Sequence, residues 1–149
     1  MSKEEFSREF GKQGVWRNYI SLTSLEDVVS SIVNEKHYTI KQKENVFYPK
    51  LWTIQVGDQT YLFKKETDSK TDKDKEYPTM EYEKFSFTLT KNTTPHLQFD
   101  THASFGSTYD GSMDWLESFD VKGSLLEDDS FADEVYKRII KHYSDIKLD

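Results

Sequence analysis

The sequence predicts a strand-rich α+β fold: an antiparallel meander of about seven or eight strands with two helices laid against one face. Three observations carry this expectation. Ten Phe and nine Tyr supply much of the apolar content, and aromatic side chains favour strands. Short apolar alternations recur between turn-forming pairs. Clean amphipathic helical spacing is confined to two long stretches, an internal one at Ser24 to Glu35 and a C-terminal one at Ser130 to Ile146. A chain of 149 residues fits one domain, 1–149, with one core.

The elements follow in order. Ser2 to Phe10 is expected as a short opening helix, since Ser2 and Glu5 have capping-box spacing and Phe6 and Phe10 lie four apart. Val15 to Ile20 reads as a strand, with Trp16 and Ile20 on one face. In the helix at 24–35, Leu25, Val28, Val29, Ile32 and Val33 share a stripe. Tyr38 and Ile40 open a strand, and Pro49 interrupts the chain. Leu51 to Val56 and Thr60 to Lys64 flank Gly57-Asp58, the strongest hairpin signal present. Residues 65–76, Lys65 to Glu76, are almost wholly charged or polar and are expected to form a flexible loop. Met80 to Thr90 is a long strand whose apolar parity changes midway, which calls for a bulge near Glu83-Lys84. Asn92 to Pro95 turns the chain into a strand carrying Leu97 and Phe99, and Asp110-Gly111 turns it again. In the strand that follows, Trp115, Phe119 and Val121 are expected on one side and Asp114, Ser118 and Asp120 on the other. The helix at 130–146 carries Phe131, Val135, Ile139, Ile140 and Tyr143 as one stripe, with Asp128 and Asp129 at its positive end.

Charge is unevenly spread. The chain up to Lys91 holds 15 acidic and 15 basic side chains, whereas the part from Asn92 onward holds 12 and 5. Between Asn92 and Tyr136 the one basic residue is Lys122. Such a field repels nucleic acid and anionic membrane and attracts basic partners. Asp before a helix is explained by capping, which covers Asp128 and Asp129. It does not cover Asp110, Asp114 and Asp120, which fall on a hairpin where Asp is a poor strand former.

Gly14-Val15-Trp16 has the Gly-x-Trp form found on the first strand of lipocalins and related calycins. The element order also resembles that family: a short helix, the motif, about eight strands in a meander, then a helix. The resemblance implies a β-barrel with a C-terminal helix as the alternative fold. It further implies a small apolar ligand bound beside Trp16.

Little in the chain points to catalysis. The absence of Cys excludes disulfides, thiolate metal sites and a Cys nucleophile. There is no P-loop, no Gly-rich dinucleotide turn and no Gly-x-Ser-x-Gly elbow. Asp68, Asp72 and Asp74 lack the Gly and Glu offsets of a calcium loop. His96, Asp100 and His102 are near in sequence and are expected to share one strand face, without matching any specific metal or acid–base motif. No catalytic residue, metal or cofactor is therefore expected. MSKEEFSREF carries no signal-peptide core, and no apolar run has the length of a membrane span, so a cytoplasmic location is expected.

Three functions are weighed in order: a non-catalytic protein-binding domain first, a lipocalin-like carrier of a small apolar ligand second, and an enzyme built around the histidines third. For the first, the expected contact surface is one acidic face made of Asp110, Asp114, Asp120, Asp128 and Asp129, resembling phosphates to a basic protein. Immunity proteins of nuclease toxins and phage inhibitors of nucleic-acid-binding enzymes work in this way.

Overall fold

The computed structural model describes residues 3–10, 19, 22–23, 25–45, 50–74 and 76–146. Its strands are β1 (Glu4–Phe10), β2 (Thr39–Asn45), β3 (Lys50–Val56), β4 (Gln59–Asp72), β5 (Thr79–Lys91), β6 (Thr94–Ser107) and β7 (Asp114–Leu125). Its helices are α1 (Leu25–Glu35) and α2 (Ser130–Asp145). All seven strands form one antiparallel sheet in the order β1-β7-β6-β5-β4-β3-β2. Strands β2 to β7 run as the expected meander. β1 joins at the far edge beside β7, so the chain crosses the whole sheet between its first two strands. β1 and β2 are the two edges, and the sheet is open, not closed into a barrel.

Both helices use the stripes their spacing predicts. Leu25, Val29, Ile32 and Val33 of α1 are buried. In α2, Phe131, Val135, Ile139 and Tyr143 are buried and Tyr136 joins them, while Ile140 is only partly covered. Helix α2 lies on the inner face of the sheet. Tyr136 and Tyr143 meet the Phe99 ring at 5.7 and 6.4 Å, and Tyr143 also meets Phe119 at 6.2 Å. Phe99 in turn stacks on Phe87 at 5.2 Å. Its cross-strand neighbour is Gly123, where a Cβ would lie 2.1 Å from the Phe99 ring. The absent side chain is what lets the ring lie flat across the strand.

The helix is tied at both ends. Asp129 caps its N-terminus by accepting the Phe131 N–H at 3.1 Å. The same carboxylate accepts the Tyr61 hydroxyl at 2.6 Å, and His96 Nδ1 lies 2.9 Å from it. At the other end Arg8 of β1 donates to the carbonyls of Tyr143 and Ile146. A cation there also suits the negative end of the helix dipole.

Several expectations are corrected. Glu4–Phe10 is a strand, not a helix: it pairs residue by residue with β7, from Glu4 with Leu125 to Phe10 with Phe119. A spacing of four between Phe6 and Phe10 fits both periods, because it is one helical turn and also an even strand step. Of the segment read as a strand at Val15 to Ile20, Tyr19 is the one described residue, and it is helical. Gly14-Val15-Trp16 and Pro49 lie outside the described residues. Lys65 to Glu76 is not a loop as a whole. β4 runs to Asp72 and pairs with β5 as far as Thr79. The bulge in β5 falls at Glu81, two residues before the expected place. The hairpin at Gly57-Asp58 is as expected, with Val56 paired to Gln59 and Gly57 at φ 63°.

Candidate functional site

Among the described residues, the two turns at one end of the sheet hold the most exposed apolar side chains. One turn joins β4 to β5 and the other joins β6 to β7. The second reads Ser-Thr-Tyr-Asp-Gly-Ser-Met-Asp over 107–114, a run of turn formers with nothing to bury Tyr109 or Met113 against. Tyr109 is 97% exposed, Met113 65% and Tyr77 of the neighbouring turn 57%. Around them lie Asp72, Asp74, Glu76 and Asp110, which with Tyr109 line a hollow of about 450 Å³. The β4–β5 turn also carries Lys73 and Lys75, so its charge is mixed. The β6–β7 turn carries no base.

Hydrogen bonds fix this end. The Asp110 carboxylate accepts the Ser112 N–H at 3.0 Å, the Ser112 hydroxyl at 2.7 Å and the Thr108 hydroxyl at 2.8 Å. The Ser112 N–H and then the two hydroxyls lower the Asp110 pKa to about 2, so it is charged throughout the physiological range. Gly111 takes φ 77°, a conformation that glycine adopts without strain. A Cβ there would lie 2.2 Å from the Tyr77 carbonyl oxygen. The Tyr77 N–H donates to the Asp110 carbonyl at 3.2 Å. The two turns thus form one braced platform.

The five predicted acids do not share a face. Asp110 and Asp114 are exposed at this turn end. Asp120 lies mid-strand on the outer face, opposite His102 of β6 and Glu9 of β1. Asp128 is exposed and Asp129 is half-buried with its side chain 7% exposed, both at the far end before α2. β7 runs from Asp114 to Leu125, roughly 35 Å at strand rise, so the two groups cannot act as one surface. Bulges also reorder the faces. Glu117 is the extra residue opposite Ser104–Phe105, so Leu116 is the buried partner of Phe119, and Trp115 is not.

The three residues His96, Asp100 and His102 separate for the same reason. His96 is the extra residue of a bulge opposite Leu89–Thr90 and turns inward to Asp129. Asp100 and His102 stay on the outer face, where His102 stacks on Tyr82 at 5.9 Å. Tyr61, buried and bonded to Asp129, has its pKa raised, first by burial and then by that carboxylate. This network is structural: every polar atom named in it already has a partner. Among the described residues no three His, Asp or Glu side chains converge as metal ligands. None of the described helices is long and apolar enough to cross a membrane.

The inner face holds a second polar group that the sequence did not reveal. Lys65 projects inward, 2.8 Å from Glu26 of α1, donates to the Thr23 carbonyl at 3.1 Å and lies over the Phe85 ring. The Tyr143 hydroxyl is fully buried without a hydrogen-bond partner among the described residues, and burial, then the Glu26 charge, raises its pKa. Glu83 is on the same face, paired with Ser69 and Ala103 across its neighbours, and burial raises its pKa. Periodicity hid these groups because Lys65 and Glu83 sit where apolar residues alternate.

No protein-family model matches the chain. No curated protein matches it. Among solved structures it is similar to the Mll3558 protein from Rhizobium loti, at 11% identity over 96% of this chain and 94% of that one, with a TM-score of 0.43. It is also similar to a putative uncharacterized protein from Rhizobium leguminosarum, at 8% identity over 96% and 97% of the two chains, with a TM-score of 0.42. Likeness at that level assigns the chain neither a family nor an activity.

Proposed function

We propose that this chain is a non-catalytic protein-binding domain whose turn end docks on a basic partner. The supporting observation is the braced platform, where Tyr109, Met113 and Tyr77 stand exposed beside Asp72, Asp74, Glu76 and Asp110. Tyr is enriched among the residues that dominate binding energy, and a rigid surface loses little entropy on docking. Carboxylates around it steer a basic protein and weaken with salt. A nucleic-acid-binding enzyme or toxin has the complementary field. The test is affinity capture from the native host with wild type, Tyr109→Ala and Asp74→Lys. The expected partner is basic, is lost with Tyr109→Ala and associates more slowly with Asp74→Lys. Recovery of the same partner at equal rate by all three proteins would refute the platform.

A second reading is favoured by the unpartnered Tyr143 hydroxyl beside the Lys65–Glu26 pair. An amphipathic small molecule with a hydrogen-bonding head would satisfy that oxygen on the inner face. Mass spectrometry of an organic extract of the purified protein tests it: a stoichiometric small molecule supports this reading, and a clean extract counts against it.

A further inference from the structure

The chain has three Met and no Cys. A peroxide that meets it finds no thiol, which leaves thioether sulfur as the group it oxidises most readily. The methionines are not equally reachable. Met80 of β5 is half-buried against the core. Met113, in the β6–β7 turn, is 65% exposed. Met1 lies outside the described residues. The backbone at Met113 is held from both directions. Its N–H donates to the Thr108 hydroxyl at 3.2 Å, and its carbonyl accepts the Thr108 N–H at 2.9 Å. Oxidation of the side chain leaves those bonds in place and changes only the surface that the turn presents with Tyr109.

We propose that Met113 is a peroxide-sensitive site through which oxidation switches docking off; the inference rests on the docking reading of the turn end. The Met113 sulfur attacks one oxygen of hydrogen peroxide, the O–O bond breaks as the S–O bond forms, and water leaves. The sulfur loses two electrons and the peroxide gains them. A thioether is soft and apolar and packs readily against irregular surfaces and rings. The sulfoxide is polar and accepts hydrogen bonds. On the free chain water satisfies it, and in a docked interface it becomes a buried acceptor that has lost its water. The same reaction at Met80 would put that polar group against the core. Exposure at Met113 thus separates docking from folding, and sulfoxide reductases make the change reversible.

The experiment treats the full chain with dilute hydrogen peroxide. Peptide mass spectrometry should find one added oxygen at Met113 about tenfold faster than at Met80, with the urea midpoint unchanged. Capture from the native host is then compared for untreated chain, treated chain, and treated chain returned by sulfoxide reductase with dithiothreitol. The basic partner should be retained about tenfold less after peroxide and recovered after the reductase. Met113→Leu, set against its own untreated level, should show no loss on peroxide, and Met80→Leu should respond as the wild type does. Oxidation of Met80 as fast as Met113, equal retention before and after peroxide, or loss by treated Met113→Leu would each overturn the proposal and leave the docking reading standing. An untreated wild type that captures no basic partner overturns the docking reading and the switch with it.

Discussion

The two ends of the sheet use aspartate in opposite ways. Asp129 and Asp110 each gather hydrogen bonds from the residues just after them, one as a helix cap and the other in a turn. The Asp129 carboxylate is then covered by Tyr61 and His96, reached from two other strands. Asp110 keeps its second face to solvent beside Tyr109. Local geometry is the same, and the difference lies in what the rest of the chain brings. A satisfied buried carboxylate holds the fold, and a satisfied exposed one holds a fixed charge toward a partner.

The largest expected effect comes from breaking the buried end. Asp129→Ala removes the acceptor for Tyr61, His96 and the Phe131 N–H at once. Leaving such donors unpaired costs about 1–3 kcal/mol each, which urea unfolding would register as a large drop in midpoint. A loss under ~1 kcal/mol would mean that Asp129 acts as an ordinary cap alone. Gly111→Ala tests the bracing of the exposed end. The positive φ and the close Tyr77 carbonyl should cost about 1–3 kcal/mol, with faster hydrogen exchange at the Tyr77 amide. Unchanged exchange there would show that the turns are not coupled. The smallest effect is electrostatic. Asp110 titrates at about 2 in the folded chain against an ordinary 3.8. Because the folded value is depressed, the stabilisation is present above the ordinary value and is lost as pH falls toward 2. Ser112→Ala should raise the Asp110 midpoint toward its ordinary value, as read from carboxyl carbon shifts. Global stability should barely move, since the group is exposed.

Which parts were legible follows from how each element is buried. Both helices and the Gly57-Asp58 hairpin carry their own signal, a one-sided stripe or a turn residue with no alternative. The outer half of β4 carries none. Lys65 to Asp72 alternates nothing apolar, and its strand state comes from β5, whose Phe85 and Phe87 pair opposite Thr67 and Lys65. β1 was ambiguous because Phe6 and Phe10 suit two periods. The site was harder. A count of acids along the chain does not see that β7 spans the sheet, and a one-residue bulge at His96 or Glu117 reverses every parity argument beyond it. Tyr109 and Met113 do stand out in the sequence, as apolar residues in a turn-forming run.

The bond from Arg8 to the Tyr143 carbonyl joins residues 135 positions apart. During synthesis β1 emerges before the other six strands of this sheet and is the last of them to find its partner. At ~5–20 residues per second, it waits roughly 5–25 s for β7 and α2 to follow it. Glu4, Glu5 and Glu9 line it through that interval, and charge on an unpaired strand discourages pairing with other chains. The same topology makes closure of the sheet a slow, late event. A nascent chain released before Leu125 would present the meander with one edge of β6 bare.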